Sequence, residues 1–457
     1  MKLTTYKQIY FIGIGGIGMS NLARYFKSKG LMVAGYDRTR TPLTIELENE
    51  GIAVHYEDAP GGWDPAFSDQ STTLVVRTPA VPGNLGELLY VQNNGYTILK
   101  RSEVLGLVSA DSKGLCIAGT HGKTTTSMMT AHLLKQSSVD CNAFLGGISN
   151  NYHTNLLLSQ TSDLTVIEAD EYDRSFHTLN PWMAVVTSVD PDHLDIYGTH
   201  EAYLESFAHF TSLIRPGGCL VIKHGLPLQE RLQPGVHKYT YGVDVPADYR
   251  ATNIRYEPGH LFFDFHTPVS TLEHVELGVP VKVNIENAVA AMTLAHLNGV
   301  SDEELRAGIA SFKGTRRRFD LLINRPDMIY IDDYAHHPTE LEASITSIKA
   351  LYPGKKVTGI FQPHLYTRTR DFADEFAAVL SQLDDLILLD IYPAREKPIP
   401  GVTSEMILGK VTLEVKTVCS LSKVFDILDQ KQPEVLVTLG AGNIDTLVPL
   451  LIKRYGV

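Results

Sequence analysis

The seven residues Gly119-Thr120-His121-Gly122-Lys123-Thr124-Thr125 constrain this chain more than any other stretch. Just upstream, Gly114-Leu115-Cys116-Ile117-Ala118 is short and apolar, as a buried strand is. Just downstream, Thr126 to Lys135 carries Met129, Leu133 and Leu134 at helical spacing. Strand, glycine turn, Lys-Thr and helix in succession form a cradle for a nucleoside triphosphate. The glycines let backbone N–H groups close around phosphate oxygens at the positive end of the helix. Lys123 is expected to reach the β- and γ-phosphates, and the Thr124 hydroxyl to sit on Mg²⁺. Ile117 stands where the first glycine of the eight-residue pattern would be, so the loop has the compact GxxGKT form. The stretch is expected to bind ATP or GTP.

A chain of 457 residues has room for two to four domains, each with its own core. A formal charge of −12 argues against a nucleic-acid partner, although clustered arginines can still make a local anion site. Cys116, Cys141, Cys219 and Cys419 are scattered, without CxxC or metal-ligand spacing. Cys116 lies in an apolar run, so buried free thiols in a reducing cytoplasm are expected. Lys2 and Lys7 precede an apolar run that Gly13, Gly15, Gly16 and Gly18 interrupt, which makes a poor signal peptide. No stretch approaches a membrane span, so a soluble cytoplasmic protein is expected.

Residues 7–18, KQIYFIGIGGIG, read as a strand running into a GxGGxG turn. A helix from Met19 to Lys29 follows, with Leu22, Tyr25 and Phe26 inward and Gly30 as its stop. The second strand, Leu31 to Tyr36, ends at Asp37, about twenty residues after the glycines, where the Rossmann fingerprint places the acidic residue that grips a ribose hydroxyl. Taken alone this predicts a nicotinamide dehydrogenase, yet a UDP-sugar also offers a pyrophosphate and a ribose. Strand Thr73 to Val76 leads into Arg77-Thr78-Pro79-Ala80, and Tyr96 to Leu99 precedes Lys100-Arg101-Ser102-Glu103, where the first domain closes.

In the second domain, the strand Leu164-Thr165-Val166-Ile167 delivers Glu168-Ala169-Asp170-Glu171-Tyr172-Asp173 at its carboxyl end, where ligand sites of open α/β sheets lie. Four carboxylates in six residues form either a solvated acidic turn or a cation site. A strand from Met183 to Val189 delivers Asp190-Pro191-Asp192-His193-Leu194-Asp195, with His193 a candidate metal or phosphate ligand. From about Tyr239 to Val283, alternation at Leu261, Phe263 and Phe265 predicts an antiparallel excursion. Helical patterning resumes over Asn284 to Asn298, and Ser301-Asp302-Glu303-Glu304 is a capping box for a helix carrying Leu305, Ile309 and Phe312. Arg316-Arg317-Arg318 is either a solvated run or a phosphate clamp, and periodicity does not choose.

The last part alternates strands and helices again. Met328 to Ile331 ends in Asp332-Asp333-Tyr334-Ala335-His336-His337-Pro338, and a helix Thr339 to Leu351 follows. Val357 to Phe361 ends in Gln362-Pro363-His364, with Arg368 and Arg370 just beyond. Leu386 to Ile391 ends in Tyr392-Pro393-Ala394-Arg395-Glu396, and Val435 to Leu439 ends in Gly440-Ala441-Gly442-Asn443. Polar groups at successive strand ends describe a doubly wound domain with one functional rim. The fold class expected is α/β with three domains: a Rossmann-like domain over 1–109, a P-loop domain with a small antiparallel excursion over 110–313, and a Rossmann-like domain over 314–457.

Three such domains in this order resemble the Mur ligases of peptidoglycan synthesis. The resemblance covers essentially the whole chain. It rests on GIGGIGMS (13–20), GTHGKTTT (119–126), EADEYDRSF (168–176), DHLDIYG (192–198), DDYAHHPTE (332–340), FQPHLYTRTRDF (361–372), YPAREKPIPG (392–401) and GAGNI (440–444). It implies ATP-dependent joining of L-alanine to the lactyl carboxylate of UDP-N-acetylmuramate through an acyl phosphate, or attachment of a recycled tripeptide to the same nucleotide sugar.

On this resemblance, Gly13, Gly15, Gly16, Gly18 and Asp37 become a UDP-sugar site. Residues Gly119, Thr120, His121, Gly122, Lys123, Thr124 and Thr125 cradle ATP, and Asn287 resembles the adenine contact. Thr124, Glu168 and His193 look like ligands of two Mg²⁺ ions. Arg318 matches the arginine that approaches the γ-phosphate, and Asp333 resembles a ribose contact. Tyr334, His336 and Arg368 look like parts of the site for the muramoyl-alanine end. Lys123, His193 and Arg318 are the residues the resemblance makes catalytic.

The chain departs from the common pattern at Val283, Leu365 and Arg77–Ala80, which bear on adenine, muramoyl and uridine contacts rather than on the phosphates. A dehydrogenase leaves the GTHGKTT loop unexplained, and a nucleotide-switch protein would use that loop without ligation. UDP-N-acetylmuramate and L-alanine are the expected partners, with no nucleic acid and no membrane insertion, for a monomer or weak dimer.

Overall fold

Strands β1 (Gln8–Ile12), β2 (Met32–Tyr36), β3 (Ala53–His55), β4 (Thr73–Arg77) and β5 (Thr97–Lys100) pair in parallel in the order β3-β2-β1-β4-β5. The structure, a computed structural model, describes residues 3–456 apart from Trp63, Pro79 and Arg395; the side chains of Thr4, Leu194 and Asp195 also lie outside the described residues. Lys2, named above, is outside them as well. Strand β1 is central and covered on both faces, so Ile9, Tyr10, Phe11 and Ile12 are all fully buried, and this is why the strand reads as an unbroken apolar run. Strand order reverses between β1 and β4, which sets the glycine turn after β1 at the switch point of the sheet. The helix after it spans Ile17–Ser28, two residues earlier than its apolar spacing suggested, because Gly16 already serves as the N-cap.

The second sheet is built on β6 (Lys113–Ala118), β7 (Asn142–Phe144), β8 (Leu156–Leu157), β9 (Leu164–Glu168), β10 (Met183–Val186), β11 (Cys219–Lys223) and β12 (His237–Val243). Their order is β12-β11-β10-β6-β9-β7-β8, and only the β7–β8 pair is antiparallel. The register sets Ile117 against Glu168 and Ala118 against Val186, so β6, β9 and β10 end on one edge. Strand β10 stops at Val186 rather than Val189, because Thr187 and Ser188 turn their hydroxyls to the His121 backbone. Strand β12 is parallel to β11, so the expected antiparallel excursion does not begin at Tyr239. Apolar side chains of both sheets share one core, from Ile9 and Phe11 through Val104 to Ala118 and Val186.

By its internal contacts the chain divides into two compact units: Met1–Arg250 with His266–Thr271 and Asn287–Gly308, and Ala251–Phe265 with Leu272–Glu286 and Ile309–Val457. The second unit holds most of the adjacent strands β13 (Tyr249–Glu257), β14 (His260–His266) and β15 (Thr271–Glu276), and Leu261, Phe263 and Phe265 are fully buried, as their alternation suggested. Its main sheet comprises β16 (Asp320–Asn324), β17 (Ile329–Asp333), β18 (Val357–Phe361), β19 (Asp385–Leu389), β20 (Lys416–Cys419) and β21 (Val435–Leu439), in the order β16-β17-β21-β18-β19-β20. Strand β16 is an antiparallel edge and the other pairings are parallel. Inserting β21 between β17 and β18 brings Gly440 beside Asp333 and Gln362. All four cysteines are free and buried. Among the described residues no helix is long and apolar enough to cross a membrane.

Candidate active site

The helix Lys123–Lys135 starts directly after Gly122, whose φ of +82° is left-handed, and no side chain caps it. Its first-turn N–H groups are therefore open to an anion. A Cβ on Gly122 would lie 2.6 Å from Asn287 Oδ1 in a left-handed backbone, so a side chain there is strained and displaces the Asn287 amide. Asn287, on the helix Lys282–Leu297, accepts a hydrogen bond from the Thr126 hydroxyl at 3.2 Å and so braces the loop from below. From β10's carboxyl end, Ser188 Oγ accepts from the His121 N–H at 2.7 Å. The Thr120 hydroxyl donates to the Asp190 carbonyl at 2.8 Å and meets the Tyr203 hydroxyl at 2.9 Å. The His121 ring is exposed, 3.9 Å from the Asp190 carboxylate, and Thr125 lies in the first helical turn.

Lys123 Nζ donates to the Gly119 carbonyl at 2.6 Å and to Glu171 Oε1 at 2.8 Å. Glu171 is 1 % exposed, and burial pushes its carboxyl above the usual range against the opposing pull of Lys123. Thr124 Oγ1 donates to Glu168 Oε1 at 3.1 Å, while Glu168 Oε2 is buried with no hydrogen-bond partner among the described residues. Burial raises the Glu168 pKa too, since a carboxylate there lacks water. His193 Nε2 is 3.8 Å from Glu171 Oε1 and 3.7 Å from Asp192 Oδ2.

Of the three expected metal ligands, Thr124 and Glu168 meet directly, whereas His193 approaches Glu171. Among the described residues no group of three or more His, Cys, Asp and Glu is arranged to hold a metal ion. A hydroxyl beside an orphaned carboxylate oxygen nevertheless fits Mg²⁺, which takes one or two protein oxygens and completes its shell with phosphates and waters.

The glycine turn after β1 is held by its neighbours, with the Gly13 and Ile14 N–H groups on the Tyr36 carbonyl. Asp37 Oδ2 accepts from the Gly15 N–H at 2.7 Å, and Gly13 packs under the Thr78 side chain. A Cβ on Gly18 would lie 2.3 Å from Arg101 Nη1, so the guanidinium rests directly on the first turn of the helix Ile17–Ser28. Arg101 also reaches to 3.9 Å from the Asp170 carboxylate of the acidic loop, linking the ends of β1 and β9. Asn21, on the helix Ile17–Ser28, donates to the Leu145 and Asn155 carbonyls and strengthens that junction. Pro79, within the departing Arg77–Ala80 segment, lies outside the described residues.

In the second unit Asp333, Tyr334, His336 and Arg318 come together around the end of β17. The Asp333 carboxylate accepts from the Ser344 hydroxyl and from the Ala335 N–H, and burial pushes its pKa up to about 6. Arg318 is exposed, with its guanidinium 5.3 Å from the centroid of the Tyr334 ring, and that ring stands 5.3 Å from His336. His336 Nδ1 meets the Tyr334 carbonyl at 2.9 Å, and burial holds the imidazole below its ordinary pKa. Arg368 Nη1 is 3.5 Å from His364 Nδ1, and the His364 and His336 ring centroids are 6.0 Å apart. Leu365 is held at φ +70°, its N–H bonded to the Tyr392 carbonyl. Arg395 lies outside the described residues.

Residues absent from the expected set also occupy these places. Glu171 is the fourth residue of an acidic run in which only burial separates it from the exposed Asp173. Arg101 stands at a domain boundary, with nothing local to connect it to a glycine turn eighty residues earlier. The signal for both was the strand-end position alone.

Three family models match the chain: "Mur ligase family, catalytic domain" over residues 8–113, "Mur ligase middle domain" over 117–295, and "Mur ligase, glutamate ligase domain" over 317–442. The UDP-N-acetylmuramate–L-alanine ligase of Parabacteroides distasonis is 60 % identical over 448 residues, covering 98 % of this chain and 97 % of that protein. The crystal structure of a UDP-N-acetylmuramate–alanine ligase from Thermotoga maritima is similar with a TM-score of 0.79 at 25 % identity, covering 98 % of this chain and 99 % of the other. A murein peptide ligase from Psychrobacter arcticus shares the fold with a TM-score of 0.64 at 21 % identity, covering 98 % and 99 % of the two chains.

Proposed function

Since the chain belongs to the Mur ligase family, we infer that it is an ATP-dependent ligase that joins L-alanine to the lactyl carboxylate of UDP-N-acetylmuramate, forming a C–N bond in peptidoglycan precursor synthesis. The observation that carries the reading is the Lys123–Thr124 pair at an uncapped helix start, set against the buried Glu171 and Glu168 carboxylates, in a chain 60 % identical along its length to a ligase of that name. The same likeness favours L-alanine over a tripeptide as acceptor, because the alanine ligase is 60 % identical along the chain whereas the murein peptide ligase of Psychrobacter arcticus is 21 % identical.

The chemistry follows from charge. A carboxylate approaching a triphosphate is repelled, so the work of the site is positioning and neutralisation. The lactyl carboxylate oxygen attacks the γ-phosphorus and ADP leaves, giving an acyl phosphate. The alanine amine then adds to the acyl carbon, and the tetrahedral adduct expels phosphate and loses a proton to give the amide. Lys123 exchanges its Gly119 carbonyl partner for phosphate oxygens. Thr124, Glu168 and His193 would hold Mg²⁺, which when bound neutralises phosphate charge. Gly13, Gly15, Gly16, Gly18 and Asp37, with Arg101 over the turn, form the proposed seat for the UDP moiety. Asn287 and Asp333 are proposed adenine and ribose contacts, and Tyr334, His336 and Arg368 the contacts of the muramoyl-alanine end.

Phosphate release by the full chain, with ATP and UDP-N-acetylmuramate and a panel of acceptors, tests the reading. L-alanine should support faster release than glycine, L-serine or L-Ala–D-Glu–diaminopimelate. Release that is fastest with the tripeptide, or independent of any acceptor, would overturn it.

A further inference from the structure

The run Arg316-Arg317-Arg318 splits in the fold. Arg316 and Arg318 are exposed, whereas the side chain of Arg317 is drawn inward. Arg317 Nη2 donates to the Gly440 carbonyl at 2.6 Å, Nη1 lies 3.3 Å from the Asp445 carboxylate, and Nε lies 3.5 Å from the Asp332 carboxylate, which is 1 % exposed. The same guanidinium sits 5.0 Å from the Tyr334 ring centroid, and the Arg317 carbonyl accepts from the Tyr334 N–H at 2.7 Å. One side chain thus joins the ends of β17 and β21 to the turn that precedes β16.

That turn is strained. Arg317 has φ +62° and Phe319 has φ +47°, both in the left-handed region that a non-glycine residue holds only where its surroundings over-determine it. Arg318 stands between them, and this pair of reversals sends its side chain outward beside the Tyr334 ring while both neighbours turn in. The guanidinium hydrogen-bonds the Gly440 carbonyl while standing within ion-pair distance of two carboxylates and over a ring, a spread that a single lysine ammonium does not span.

We propose that Arg317 is a positioning residue for phosphoryl transfer: by clamping Gly440, Asp445 and Asp332 it holds the left-handed turn that aims Arg318 and fixes the Tyr334 ring. The role rests on the ligase reading and on the γ-phosphate role of Arg318. In this role Arg317 acts through Arg318, not on the substrate itself.

The test compares full-length wild type with Arg317→Lys, Arg318→Ala and the double variant, in alanine-dependent phosphate release alongside thermal melts. Arg317→Lys should lower kcat about tenfold or more while the KM for ATP stays within about twofold. In the Arg318→Ala background the same change should cost nothing further, because the two residues act as one unit. Asp445→Asn removes an exposed anchor of the clamp and serves if Arg317→Lys does not fold; it should show a smaller loss with the same non-additivity. Losses that multiply in the double variant, or wild-type kcat in Arg317→Lys, would overturn the proposal with the ligase reading intact. A wild type without alanine-dependent turnover would overturn that reading, and the role of Arg317 with it.

Discussion

The Lys123 ammonium and the Glu171 carboxylate lie 2.8 Å apart, and both are largely out of water. Glu171 thereby compensates the positive charge of the phosphate loop, and it also lies 3.8 Å from His193. Removing one partner of such a pair strands the other charge in a low dielectric.

Lys123→Ala is therefore expected to do two separable things. It should lower stability by about 3 kcal/mol, because the Glu171 carboxylate loses its cation. It should also abolish ATP-dependent turnover. Adding Glu171→Gln to Lys123→Ala should restore most of the stability and none of the turnover. Urea denaturation and phosphate release, measured on the same samples, check both halves.

Arg318→Ala should leave ATP affinity largely unchanged while turnover falls by about 10²-fold or more, as for arginines that stabilise only the developing charge. Titration of a fluorescent ATP analogue against kcat distinguishes this from equal loss of both, which would count against the assignment.

Glu168 carries an orphaned buried oxygen beside the Thr124 hydroxyl. Glu168→Gln should raise the Mg²⁺ concentration for half-maximal turnover by about tenfold or more, and a chelator should stop wild-type turnover reversibly. An unchanged Mg²⁺ dependence would remove Glu168 from the proposed cation site.

Asp333 gives a pH prediction. Burial raises its carboxyl from the ordinary 3.8 to about 6, so between those values the folded protein holds a proton that the unfolded chain has lost. This contribution to stability is fully present below about pH 4 and is lost as pH rises through about 6. Asp333→Asn cannot ionise, so its stability relative to wild type should climb across that window by on the order of 2 kcal/mol and level off above pH 7. Denaturation curves of both proteins at pH 4 and pH 8 check it.

Much of this site was legible in sequence because its chemistry is local. A strand, a glycine turn and the residues that follow are contiguous, so GTHGKTT and GIGGIG each announce a strand end, its turn and the helix after it. Asn287 shows the limit: it lies more than 160 residues from Thr126, and only packing reveals that its amide braces Gly122. Within EADE, period and charge could not separate the buried Glu171 from its neighbours, since burial is decided by the sheet. The arginine run hid its division of labour because two left-handed residues reverse the outward and inward sense that spacing implies. Strand β20 carries no clear sequence signal because Lys416–Cys419 is four residues long and mixed in polarity, and β21 reaches its place between β17 and β18 only through the sheet's topology.

The most direct test of the central claim follows the lactyl oxygen. UDP-N-acetylmuramate labelled with ¹⁸O in the lactyl carboxylate is incubated with ATP, L-alanine and the full chain, and the phosphate is analysed by mass spectrometry. Attack of the carboxylate on the γ-phosphorus predicts one ¹⁸O in each phosphate released, together with ADP and the alanyl product. Amide formation with unlabelled phosphate, or with the label in AMP, would contradict it.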